Sequence, residues 1–335
     1  SPAALAQASS PAAPDSNSPY EIKAPANAPN VVIVLLDDVG FGAASTFGGP
    51  VATPALDALA RDGLRYNRFH TTAICSPTRS SLLTGRNPHA TGIGTVTNTS
   101  DARPGYSGFH TKDTSTIARI LRGSGYSTAA FGKWHQTPDW EASPAGPFDR
   151  WPTGEGFERF YGFMGGETDQ YDPTLYDGVT PIVRPAGNAY HLTEDLAAKA
   201  IEWLHTQKAV TPDKPVLLYF APGATHAPFQ APKAWIERYR GRFDGGWDAL
   251  RQEIFARQKK LGVIPADTVL TPRDPQLPAW SSLAPDQKRI AEMVAYADLV
   301  LPDTTYLERF DAISLLDRPI SDADGAIDAL RMPVF

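Results

Sequence analysis

Cysteine is nearly absent from this chain, with Cys75 the sole example in 335 residues. An internal disulfide is therefore excluded, and stability has to come from burial rather than cross-links. Long apolar runs are missing too. The longest aliphatic stretch, Val31-Val32-Ile33-Val34-Leu35-Leu36, can fill a buried strand but falls well short of the roughly 20 residues that cross a bilayer. Basic residues are not in excess: 31 Lys and Arg against 37 Asp and Glu leave a net charge of −6. That balance gives no electrostatic reason to expect nucleic acid or an acidic membrane surface as a partner. No internal repeat is visible. With 42% hydrophobic and 20% charged residues, the composition is that of a globular protein with one large core or two domains.

Residues 1–28 are rich in Ala, Pro, Ser and Asn, with little apolar periodicity, and are expected to form a flexible arm. Within them Ala4-Leu5-Ala6 has the small-x-small pattern of a signal-peptidase site, and the first residue is Ser rather than Met. The Ser start means that something upstream was removed or not captured, and the Ala-Leu-Ala pattern points to export, into the periplasm or out of the cell.

From Asn30 onward the pattern changes. Val31 to Leu36 is continuously apolar, as expected of a strand covered on both faces of a parallel sheet, and it runs into Asp37-Asp38. A helix is expected from Thr53 as cap and Pro54 in the first turn to Gly63, with Leu56, Leu59 and Ala60 on one face. Leu64 to Thr72 is a candidate second strand. A short helix is expected from about Pro77 to Gly85, and another from Thr114 to Arg122. A strand from Tyr126 to Phe131 leads into Gly132-Lys133-Trp134-His135. Leu192 to His205 reads as an amphipathic helix with Leu196, Ala200, Ile201 and Leu204 inward. Val216 to Ala221 is a further apolar strand, followed by His226. Residues 138–188 are dense in Gly, Pro and aromatics, either lining a pocket or forming a surface connection.

Apolar strands alternating with helices imply an α/β fold with a largely parallel sheet flanked by helices. Ligands in such sheets sit at the carboxyl ends of strands. The polar residues at those ends are Asp37 and Asp38, then Lys133 and His135, then His226, and they can converge on one edge. With a helix starting near Pro77, Cys75 lies by the positive end of that helix dipole, which suits a thiolate or an anion. Arg79 follows about one turn later, within reach of an anion.

Cys75-Ser76-Pro77-Thr78-Arg79 followed by Leu83-Thr84-Gly85-Arg86 resembles the signature of the type I sulfatases, in the alkaline phosphatase superfamily. Gly125-Tyr126-Ser127-Thr128 to Gly132-Lys133-Trp134-His135 resembles the second signature of that family. The strand from Pro29 to Asp38, the stretch from Gly156-Phe157 to Gly166, and His226-Ala227-Pro228 are similar as well. The resemblance implies that Cys75 is oxidised to formylglycine by a formylglycine-generating enzyme. It implies that Asp37 and Asp38 ligate a divalent cation together with residue 75, most often calcium and alternatively magnesium. The formylglycine hydrate would attack sulfur, expel the alcohol or phenol, and then collapse to the aldehyde as sulfate leaves. His135 would be the base for that collapse. Lys133 and Arg79 would hold formylglycine and sulfate oxygens, and His226 would protonate the leaving oxygen. The substrate implied is a small sulfate ester, aryl or otherwise. His70, His89, His110, His191 and His205 lie outside these motifs and are taken as structural.

The family pattern also has a later strand ending in Asp-Asn and a later Lys, and neither is found after His226. Residues 29–296 thus read as a sulfatase-like catalytic domain lacking its final part. From Ala297 the text changes, and Asp298-Leu299-Val300-Leu301-Pro302 onward resembles an internal segment of molybdopterin oxidoreductases, so residues 297–335 are expected to be a foreign tail. No cysteine set for an iron–sulfur cluster accompanies it. With two carboxylates and one residue-75 oxygen, the ligand count falls below what calcium takes. Asp37 and Asp38 would then repel each other, raising one carboxyl, and a sheet edge would be uncovered. Two other readings stand beside the hydrolase: a non-catalytic fragment with sulfatase topology, and a cysteine hydrolase using the unmodified thiol. Pro77 and Arg79 in their motif places argue against the thiol enzyme.

Overall fold

The computed structural model describes residues 21–187 and 190–291. The arm through residue 20 and the tail from residue 297 lie outside the described residues. Strand β1 (Val31–Val34) opens the fold, followed by helices α1 (Pro54–Asp62), α2 (Cys75–Thr84) and α3 (Ile117–Gly123). Next come strands β2 (Ser127–Lys133), β3 (Arg159–Phe163), β4 (Leu175–Asp177) and β5 (Thr180–Ile182). Helix α4 (Leu192–Val210), strand β6 (Val216–Ala221), and helices α5 (Lys233–Arg238) and α6 (Gly246–Leu261) follow.

These strands form one six-stranded sheet in the order β1-β6-β2-β3-β4-β5. β1, β6, β2 and β3 run parallel, while β4 and β5 add an antiparallel margin. Every residue of β2 and β6 is buried, which is why β6 reads as an unbroken apolar run rather than an alternating one, while β2 carries Ser127 and Thr128 at its start and Lys133 at its end. The two-residue pleat still sorts them. Leu218 and Phe220 join Phe131, Phe163 and the inward stripe of α4, Leu196, Ala200 and Leu204. Leu217 and Tyr219 join Trp134, Trp151, Phe157 and Phe160 on the opposite face, with Leu83 of α2 and Ala118 of α3. The sheet is thus sandwiched between α4 and the α2–α3 layer, giving an α/β fold with a mostly parallel, six-stranded mixed sheet.

Several expectations change. β1 borders the sheet among the described residues, and Val32 is 49% exposed, so its apolar run is only partly covered on the α4 face, where Val34 alone packs. Leu64 to Thr72 is not a strand but an irregular exposed segment, with Tyr66 and Phe69 outward. Its polar side chains spend their bonds elsewhere, Arg65 donating to the Thr46 carbonyl and Asn67 to the Val263 carbonyl. Leu59, expected inward on α1, is exposed. Thr53 caps α1 by position, but its hydroxyl bonds Ser45 rather than the helix. The aromatic-rich stretch contains three strands, and Trp151 and Phe157 go to the core, where Trp151 packs edge-on to Phe148 and Tyr176. Among the described residues no helix is long and apolar enough to cross a membrane.

Close strand packing sets one firm requirement for glycine. Gly132 of β2 has φ +104°, and a Cβ there would lie 2.1 Å from the carbonyl oxygen of Ala221 in β6. Both the backbone angle and the space forbid a side chain. Gly132→Ala is therefore expected to destabilise the fold by more than about 2 kcal/mol. Urea unfolding would measure it, and an unchanged midpoint would contradict this account of the β2–β6 contact.

Candidate active site

The site forms where β1, β2 and β6 end. Asp37 follows β1 and is 4% exposed. Its backbone is fixed from β6: Asp37 N–H donates to the Ala224 carbonyl (3.1 Å), and its own carbonyl accepts from Thr225 N–H (2.7 Å). Its carboxylate faces two cations. Lys133, the last residue of β2, pairs with Oδ2, and Arg79 Nη2 lies 3.4 Å from Oδ1. Arg79 and Lys133 are each 1% exposed, so all three charges are out of water. Burial alone would lift the Asp37 carboxyl, but Arg79 and then Lys133 outweigh it and hold it below the usual carboxylate range. The repulsion expected to raise a carboxyl therefore does not decide Asp37, because the chain backs it with two cations.

Helix α2 carries Cys75 and Arg79 on adjoining turns. It begins at Cys75 itself, two residues earlier than the Pro77 start, with extended Ile74 before it, and ends at left-handed Gly85. Cys75 thus occupies the first helical turn, where backbone N–H groups lack intrahelical acceptors. Arg79 is buried along the helix and donates from Nη1 to the Lys133 carbonyl and to the Tyr219 hydroxyl, both at 3.1 Å. Burial keeps the Tyr219 hydroxyl protonated by pushing its pKa up. Tyr219 escaped sequence reasoning because it sits inside an apolar run. Its signal is the pleat alone, which aims it toward the α2 face while Leu218 and Phe220 face α4.

His135 lies two residues beyond β2, with Nδ1 3.2 Å from Cys75 Sγ. It holds a left-handed backbone, φ +53°, which costs energy in a non-glycine residue and needs support. The His135 N–H donates to the Met164 carbonyl (3.1 Å), and Gln136 Nε2 donates to the His135 carbonyl (2.6 Å) and to the Ser76 carbonyl of α2 (2.9 Å). Gly166 leaves room for the ring, since a Cβ there would sit 2.8 Å from Cε1. Burial first, then the charges of Lys133 and Arg79, push the His135 pKa down to about 3, so the ring is neutral at physiological pH. Gln136 and Gly166 are further residues that sequence reasoning did not single out.

Asp38 and His226 are the more open part. The Asp38 side chain is 61% exposed at φ +55°, with Oδ2 4.0 Å from His226 Nε2. His226 Nδ1 is 2.9 Å from the Ala227 carbonyl and 3.7 Å from Glu167 Oε2. The seven residues singled out from sequence thus lie in one linked neighbourhood. His110 and His191 are packed into other contacts, with Ser80 and Glu155 and with the Gln230 carbonyl. Asp37 and Asp38 offer the hard oxygen donors that calcium or magnesium takes. Among the described residues no three His, Cys, Asp or Glu side chains form a metal-holding group.

The arrangement has the order and chemistry of a known family, whose model, Sulfatase, matches residues 29–330. This chain belongs to the sulfatase family. It is 32% identical to an uncharacterized sulfatase of Schizosaccharomyces pombe over 84% of this chain and 53% of that protein. It is 31% identical to the arylsulfatase of Klebsiella aerogenes over 81% of this chain and 59% of the relative. The sulfatase-family chain therefore spans a little over half the length of these relatives. In solved structures, a Bacteroides fragilis protein described as the candidate sulfatase YidJ shares the fold with TM-score 0.63 at 21% identity, covering 86% of this chain and 60% of its own. The phosphonate monoester hydrolase of Agrobacterium radiobacter shares it at TM-score 0.50 and 21% identity, over 86% and 60%.

Removing Asp37 leaves two buried cations without their counter-charge. Asp37→Ala is expected to cost about 3–5 kcal/mol, read by denaturant unfolding at neutral pH. The pH profile carries a second sign. The His135 pKa falls from 6.5 to about 3 on folding, so the unfolded chain binds a proton in that interval that the native state does not. Stability therefore rises with pH from about 3 to 6.5 and levels off above. Asp37, with its pKa depressed, acts in the same direction at the acid end: its contribution is present above its ordinary value of 3.8 and is lost as pH falls through its folded value. His135→Gln should flatten the profile between pH 4.5 and 6.5, and an unaltered slope would refute the buried neutral imidazole.

Proposed function

We propose that this chain hydrolyses sulfate esters of the aryl type, with Cys75 converted to formylglycine. The observation that carries this reading is a charge imbalance: Arg79 and Lys133 are both buried against a single carboxylate, Asp37, beside residue 75 at the start of α2. With His135 neutral, the cluster holds one surplus positive charge in a water-poor site. That favours an anion, and a sulfate there would take charge-assisted bonds from both cations.

The remaining roles follow from position. His135 Nδ1, 3.2 Å from the residue-75 side chain, is placed to take a proton from it. A bound sulfate offsets the two cations that depress His135, so the base strengthens when substrate is present. His226, on the open side, is placed to give its proton to the leaving oxygen. Asp37 and Asp38 would hold calcium or, alternatively, magnesium, which when bound would polarise the reacting oxygens. Maturation calls for a formylglycine-generating enzyme as partner, and Ala4-Leu5-Ala6 supports a periplasmic or secreted location.

One observation favours a second reading, a sulfatase fold without turnover. Asp37 spends its carboxylate on Lys133 and Arg79, and a cation has to compete with both. Calcium separates the two: binding should raise the melting temperature in proportion to ln(1 + [Ca]/Kd), and no shift at millimolar calcium favours the inactive fold.

The deciding experiment co-expresses the chain with a formylglycine-generating enzyme and measures sulfate release from an activated aryl sulfate in calcium buffer. Conversion of Cys75 shows as a loss of about 18 Da. Turnover abolished by Cys75→Ala is the expected result. Absence of turnover in fully converted protein would reject the hydrolase reading.

A further inference from the structure

A loop that these roles do not use borders His226. Residues 164–174 join β3 to β4, and the loop is fastened at several points. Gln230 accepts the Gln170 N–H at Oε1 and donates from Nε2 to Asp169 Oδ2, both at 2.7 Å. The Gln230 carbonyl accepts from His191 Nε2 (2.9 Å), and Leu192 N–H donates to the Gln170 carbonyl (2.8 Å). Asp169 Oδ1 also accepts the N–H groups of Tyr171 and Asp172, each at 2.7 Å, and the Tyr171 ring stands edge-on to His191. The loop, the start of α4 and the segment after β6 are thereby joined.

This fastening sets Glu167 with Oε2 3.7 Å from His226 Nδ1. The same Nδ1 lies 2.9 Å from the Ala227 carbonyl, so it carries the hydrogen, and Nε2 is the atom turned toward Asp38 and the site. From Glu167 to Asp172 the loop has three carboxylates and no cation. Asp172 is paired with Arg184 (3.4 Å) and Asp169 is engaged by the clamp, which leaves Glu167, 64% exposed, as the loop carboxylate that faces His226. A cation bound at Asp38 would spend that charge and leave Glu167 alone in this role. The site is therefore polarised, with surplus positive charge at Arg79 and Lys133 and negative charge where the leaving group must sit.

We propose that Glu167 is a specificity-determining residue that makes the site select sulfate esters of uncharged alcohols or phenols over esters whose leaving group carries a further anion. The inference rests on the sulfatase reading for the direction in which the ester lies. One added negative charge about 7 Å from Glu167, at intermediate dielectric, should weaken binding by about five- to tenfold.

The test uses a matched pair that differs by one charge, phenyl sulfate and its para-sulfonated analogue. Their binding to the full chain carrying Cys75→Ala is measured by calorimetry in calcium buffer, so the readout does not need turnover. Phenyl sulfate should bind at least fivefold more tightly. Glu167→Gln should bring the two within about twofold, and Glu167→Lys should reverse the order. Glu167 is exposed, and native-like melting would verify that both variants fold. A preference that ignores Glu167, a starting chain that favours the sulfonated ligand, or no binding of either probe would overturn the proposal. Failure of the sulfatase reading is seen separately: converted protein would release no sulfate while the binding ratio still followed residue 167.

Discussion

The carboxylate of Asp37 is the point on which the site and much of the fold depend. It ties Arg79 from α2 to Lys133 from the end of β2, and its backbone is bonded to Ala224 and Thr225 beyond β6. Three parallel strands and helix α2 thus meet at one buried charge. Two buried cations without it would face a desolvation cost of several kcal/mol each. With it, they are held in place and still share one unit of positive charge between them.

That surplus organises the chemistry around it. It depresses His135, already disfavoured as a cation by burial, and keeps the ring neutral beside Cys75. It also gives the end of α2 a reason to attract an anion beyond the weak pull of a helix dipole. The backbone of His135 is left-handed, and the Met164 carbonyl, the Gln136 amide and the bare face of Gly166 together hold that conformation. The strained residue is thus one whose ring must approach residue 75 closely, which is where strain is worth retaining. Against this positive end, Glu167 and Asp38 make the His226 side acidic.

Much of the architecture could be read from local pattern. The apolar runs at β1 and β6, the Tyr126 to Phe131 segment at β2 and the stripe Leu196, Ala200 and Leu204 on α4 are strong local signals, and each became the expected element. The motif residues Asp37, Cys75, Arg79, Lys133 and His135 were visible because strand ends and a helix start are marked by sharp changes in residue type. The short strands β3, β4 and β5 were not visible, since glycines and aromatics mask a period of two over three to five residues. Leu64 to Thr72 failed in the opposite sense, with strand-like composition and no strand partner among the described residues.

By itself, the sequence determined the family, the strand–helix alternation and the candidate site residues, because those are properties of residue type and spacing along the chain. The tertiary structure alone decided that Asp37 is shared by Arg79 and Lys133, that Tyr219 turns toward Arg79, and that Gln230 brings Glu167 to His226. These pairs are separated by tens to well over a hundred residues. Charge sharing and burial depend on distance in space, and no local pattern records it.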